Sequence, residues 1–99
     1  MVTKDEARRF LGDAAPEQCF WINNGPTLKN LEELANALPE MGDDTFSHHV
    51  NDEKNDFSNW ISDVIGDKKL ANELLSAKSK YSALSKIINR INSLKKKAG

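Results

Sequence analysis

The sequence predicts an all-α domain, a compact bundle of five or six short helices with one extended or turn segment at Cys19–Asn24. Three observations predict it. Apolar residues recur at three-to-four spacing through Leu28–Leu38, Phe57–Ile65 and Leu70–Ile91. Residues that start and stop helices bracket those stretches. The one run with strand composition, Cys19-Phe20-Trp21-Ile22, finds no second strand elsewhere in the sequence to complete its ladder, so an extended or turn segment plugging the core is expected there.

Thr3-Lys4-Asp5-Glu6 reads as a capping box, followed by Ala7, Phe10 and Leu11 on one face and a left-handed stop at Gly12. Asp13–Gln18, with Pro16, is a connection, and Asn23-Asn24-Gly25-Pro26 is a turn. A second helix is expected from about Thr27, its N-cap, to Leu38, with Leu28, Leu31, Leu34, Ala35 and Leu38 inward and Pro39 as its stop. Asp43 or Asp44 caps a short third helix reaching His49-Val50.

The clearest element is Lys54-Asn55-Asp56-Phe57-Ser58-Asn59-Trp60-Ile61, closed by Gly66-Asp67. Asn55 or Asp56 caps it, and Phe57, Trp60, Ile61, Val64 and Ile65 form a wide apolar stripe opposite Ser58, Asn59, Ser62 and Asp63. Gly66 stands where a helix-terminating glycine belongs, and Asp67 caps the next helix. From there to Gly99 there is neither glycine nor proline. Leu70, Leu74, Ala77, Tyr81, Leu84, Ile88 and Ile91 repeat as a heptad seam that permits one long helix. A break at Lys78-Ser79, with Ser79 as a fresh N-cap and a basic terminal helix over 79–97, is the competing reading; Leu75, Ile87 and Leu94 widen the stripe as packing on a globular body requires. The expected core is Phe20, Trp21, Leu31, Leu34, Leu38, Phe46, Phe57, Trp60, Ile61, Val64, Leu70, Leu74, Leu84, Ile88 and Ile91.

Ninety-nine residues suit a single domain over 1–99, with residues 1–12 as its first helix. The lone Cys19 excludes an intrachain disulfide and points to a reducing compartment. No apolar run nears the roughly 18 residues of a membrane span, and the opening Met1-Val-Thr-Lys-Asp-Glu has no secretory apolar stretch, so a cytoplasmic protein is expected. Residues 1–67 hold five Lys/Arg against fourteen Asp/Glu, whereas 68–99 hold nine against one. That layout fits a basic helix docked on an acidic body, or a basic end that meets nucleic acid.

Phe20-Trp21-Ile22-Asn23-Asn24-Gly25-Pro26, Leu31-x-x-Leu34, Ala37-Leu38, Phe46-x-His48-His49-Val50 and above all Asn55-Asp56-Phe57-x-x-Trp60 carry a resemblance. In them the chain resembles an uncharacterised domain family of archaeal and bacterial hypothetical proteins. The resemblance covers over half of the chain and implies the broken reading near Ser76–Ala83. It implies no activity, and the first helix lies outside it.

Chemistry-bearing residues are few. His48 and His49 are adjacent, so on a helix they diverge by about 100°, and no ligand-spaced Cys/His motif accompanies them: no metal or cofactor is expected. One histidine is expected in a partly buried hydrogen bond to the cap around Asn55-Asp56, the other near the surface. Cys19 lies in an apolar run without an activating group, and neither a phosphate loop nor a nucleophile elbow is present. No catalytic residue is assigned. Lys54 and the two histidines form a polar patch that helix-making does not require. Lys86, Arg90 and Lys97 fall roughly on one side of the terminal helix, where they could contact phosphates or form a solvated face. These six, His48, His49, Lys54, Lys86, Arg90 and Lys97, are the candidate interaction residues. The expected role is a small non-enzymatic module that binds a protein partner or itself through a helical surface. Nucleic-acid binding by the basic helix is the alternative.

Overall fold

The computed structural model describes residues 2–99; Met1, where the first predicted segment begins, lies outside the described residues. Among the described residues there are six α-helices and one two-stranded sheet, so the domain is mostly helical. The helices are α1 (Lys4–Leu11), α2 (Leu31–Glu40), α3 (Asp43–His49), α4 (Asp56–Trp60), α5 (Lys68–Leu74) and α6 (Lys80–Ala98). Strands β1 (Phe20–Trp21) and β2 (Thr27–Leu28) precede α2, after a single 3₁₀ turn at Pro16–Gln18.

The Thr3 capping box forms as expected: the Glu6 amide donates to Thr3 Oγ1 at 3.1 Å and the Thr3 amide to Glu6 Oε1 at 3.0 Å. Gly12, however, is extended at φ −77°, so α1 ends without a left-handed residue. The segment at Phe20 is a hairpin and not a lone plug. Phe20 pairs with Leu28 and Trp21 with Thr27 in antiparallel register. The partner strand is the stretch expected to open the second helix. The turn between them decides this: the Gly25 amide donates to the Ile22 carbonyl at 3.0 Å, with Asn24 at φ 60°. A side chain on residue 25 would meet Ile22 Cγ2 at 2.9 Å, so the close approach requires glycine. Strand alternation then sends Phe20 inward and Trp21 outward. Trp21, expected in the core, is 74% exposed.

Helix α2 therefore starts at Leu31, capped by Asn30, whose Oδ1 accepts from the Glu33 amide at 2.8 Å. Pro39 sits inside its last turn rather than ending it, where its missing N–H removes one bond only. Gly42, not Asp43 or Asp44, occupies the N-cap of α3, leaving both acids in the first turn.

Asn55 caps α4, accepting from the Ser58 amide at 3.0 Å. Past Trp60 the helix widens into a π turn over Ile61–Ile65, closed by a 2.7 Å bond from the Gly66 amide to the Ile61 carbonyl. Gly66 takes the left-handed conformation at φ 91°. Ser58, expected on the solvent face, is buried and donates from Oγ to the Ala71 carbonyl at 2.6 Å.

The seam over Leu70–Ile91 is broken: α5 ends near Leu75, and Ser79 caps α6 through a 3.1 Å bond from the Ser82 amide. At 19 residues, α6 is about 28 Å long. It packs chiefly on α1 and α2, and its buried row is Ala83, Ile87, Ile91 and Leu94. The predicted seam is thus offset. Leu84 is half-buried, while Ile88 is 42% and Tyr81 64% exposed, because a helix lying between two others buries the row centred on Ile87. Val64 is likewise only partly buried, and Phe10, Ile22, Leu28, Met41, Val50 and Ile65 join the core.

Candidate functional site

The element Lys54–Trp60 is wired to its surroundings residue by residue. Asn55 Nδ2 donates to the Leu74 carbonyl at 3.0 Å, joining the start of α4 to the end of α5. Asp56 Oδ2 receives both Lys54 Nζ at 3.0 Å and His49 Nδ1 at 2.9 Å. Trp60 Nε1 donates to the Gln18 carbonyl at 2.8 Å. Phe57 is sealed among Phe20, Phe46 and His49. His49 is 4% exposed, and its second nitrogen, Nε2, accepts the Asn23 amide at 3.0 Å. It latches the hairpin turn to the α4 cap.

As an interaction residue His49 is therefore corrected. Both ring nitrogens are engaged and the ring is enclosed, so nothing remains to meet a partner or to accept a substrate proton. Its expected hydrogen bond to the Asn55-Asp56 cap is present, and His48 lies at the surface. Lys54 is partly exposed but committed to Asp56. Burial raises the Asp56 pKa, but the hydrogen bonds from His49 and Lys54, with the Lys54 charge, outweigh it and hold the carboxyl below its usual 3.8. Cys19 directs its thiol to the Ala15 carbonyl at 3.5 Å rather than to a histidine.

Arg90 is the partner of Asp67, which is 1% exposed: Nε donates to Oδ2 at 2.7 Å and Nη2 to Oδ1 at 2.9 Å. Asp67 Oδ1 also caps α5 through the Leu70 amide at 3.2 Å. The signal was present in the sequence, because Arg90 stands in the row Ala83-Ile87-Arg90-Leu94. A cation in an apolar row needs a buried anion. Lys86 lines one cleft with Arg90, and Lys97 a different one with the same arginine. Of the other cations, Lys80 donates to the Met41 carbonyl at 2.6 Å and Lys95 pairs with Glu32.

A family model described as a family of unknown function, DUF5752, matches residues 15–96. The chain belongs to that family. The match takes in the hairpin, the α4 element and nearly all of α6, and leaves out α1. Neither the curated proteins nor the solved structures yield a match to the chain. Among the described residues no helix is long and apolar enough to cross a membrane. Nor do three His, Cys, Asp or Glu side chains converge there as a metal site.

Proposed function

We propose that the domain is a small non-enzymatic binding module that pairs with a second copy of itself through the outward row of α6. One observation carries the reading. Helix α6 has two apolar rows, and only Ala83, Ile87, Ile91 and Leu94 are covered. Tyr81, half-buried Leu84 and Ile88 continue outward at heptad spacing, and Ile88 opens into a groove between α2 and α6 with Ala35 and Ile91 on its floor. An apolar row of this kind favours contact with another helix. A second copy offers the same spacing, and two-fold pairing places each row on its equal. With its single thiol, the module suits a reducing compartment such as the cytoplasm.

Light scattering on the full chain tests this. The mass is expected to rise toward that of a dimer as concentration climbs to the high micromolar range, and Ile88→Lys is expected to abolish the rise without unfolding the domain. A strict monomer at that concentration overturns the reading. The nucleic-acid reading has less support, because Lys80 and Lys95 already have protein partners and Arg90 is held by Asp67 through two of its three nitrogens. Filter binding at low salt checks it, and absence of retention at tens of micromolar removes it.

A further inference from the structure

A cleft lies where α1, the Gly66 bend and α6 meet. It measures about 570 Å³, within the range of about 300–1,000 Å³ typical of small-molecule sites. Its lining is more apolar than polar, with Val2 and Phe10 on the α1 side. The charged groups on it are Lys68, Lys69, Arg90 and Lys97 against Glu6 and Asp67, an excess of two positive charges. Lys68 is tied to Ser62, through bonds of 2.9 and 3.0 Å. Lys69 and Lys97 make no ion pair among the described residues.

Arg90 differs from the lysines. Buried Asp67 holds its Nε and Nη2, which fixes the plane of the guanidinium. Its third nitrogen, Nη1, has no hydrogen bond among the described residues, and no fully buried side-chain nitrogen or oxygen there lacks a partner, so Nη1 keeps some contact with solvent. A rigid donor flanked by two free ammonium groups over an apolar wall is prepared for an anion before any ligand arrives.

We propose that this cleft binds a small phosphomonoester carrying an apolar group. The phosphate, close to a dianion at neutral pH, balances the excess of two charges and accepts from Arg90 Nη1, Lys69 and Lys97. The apolar group lies on Val2 and Phe10. A carboxylate, with a single charge, balances only half of that excess. Because α1 lies outside the family match, the apolar wall is supplied by a part of this chain that the family model does not cover.

Titration of the ¹⁵N-labelled full chain with phenyl phosphate tests the proposal. Saturable shifts confined to Val2–Phe10, Gly66–Lys69 and Arg90–Lys97 are expected, with inorganic phosphate and benzoate each weaker by about tenfold or more. The double variant Lys69→Ala with Lys97→Ala should weaken phenyl phosphate by a similar factor while leaving the remaining spectrum in place. It avoids Arg90, whose loss endangers folding. Non-saturating shifts spread over all lysines, equal binding of the three anions, or an unchanged affinity in the double variant each overturn it. So does tighter binding of a short oligonucleotide with shifts along Lys86 and Lys96. None of these outcomes depends on self-association through Tyr81 and Ile88.

Discussion

At the scale of single residues, His49 shows how much one ring can settle. A backbone N–H can only donate, so Nε2 must accept from Asn23, and the ring proton therefore stands on Nδ1 and points to Asp56. Asp56 in turn needs its negative charge to receive both His49 and Lys54. A carboxyl held below its unfolded pKa binds fewer protons when folded than when unfolded, so its contribution is present above the unfolded value, 3.8, and fades as the pH falls through the lower folded one. Urea unfolding followed downward from about pH 5 should show a steeper loss of stability for the native chain than for Asp56→Asn. Equal slopes would show that the pair carries no linkage. The expectation of one buried histidine near the α4 cap was legible because Asn55-Asp56 is an evident cap. Its second bond, to Asn23, was not, since nothing local links residue 49 to residue 23.

At the scale of elements, four of the expected caps form through their side chains, whereas Thr27 lies in a strand and Asp43 and Asp44 fall inside the first turn of α3. Thr3, Asn55, Asp67 and Ser79 all accept the amides their positions suggest. Gly66 serves by its conformation instead. A methyl group there would sit 3.6 Å from Phe10, an ordinary contact, so crowding is not the obstacle. The positive φ is, and Gly66→Ala should cost about 1–2 kcal/mol, whereas Gly66→Asn should cost less, since asparagine tolerates this region. Denaturant midpoints at constant slope would measure both, and equal midpoints for all three chains would contradict the assignment. The element that was misread is the hairpin. Thr27-Leu28 belongs equally to a helical 3–4 pattern and to a strand of two residues, and only pairing with Phe20-Trp21 distinguishes them. Short strands carry little periodicity, so the turn chemistry of Asn24-Gly25 was the better guide.

At the scale of the whole molecule, the radius of gyration is 12.7 Å, against about 12.6 Å for a folded chain of this length. Closure at that size depends on α6 being held by both its apolar row and its one buried charge. Arg90 joins α6 to Asp67 at the start of α5 across 23 residues of sequence. Arg90→Met leaves Asp67 buried and unpaired and should cost about 3–5 kcal/mol, whereas Asp67→Leu with Arg90→Met should recover much of that loss. The recovery will be incomplete, because Asp67 also caps α5. Thermal melts of the two variants would test the order. If the single variant is as stable as the native chain, the pair is not what secures the helix.

By itself the sequence determined the helical class, the caps at Thr3, Asn55, Asp67 and Ser79, and the wide stripe of Phe57–Ile65, while one helix or two beyond Asp67 stayed open. All of these are local or short-period properties, written within a few turns of chain. It also singled out Lys54–Ile61, whose polar residues now prove to tie α4 to α3, α5 and the hairpin. Only the tertiary structure decided which row of α6 faces inward, that Arg90 pairs with Asp67, that His49 is enclosed, and that Thr27-Leu28 is a strand. Each depends on a partner distant in sequence, and periodicity records that a residue is apolar or charged without recording what it meets.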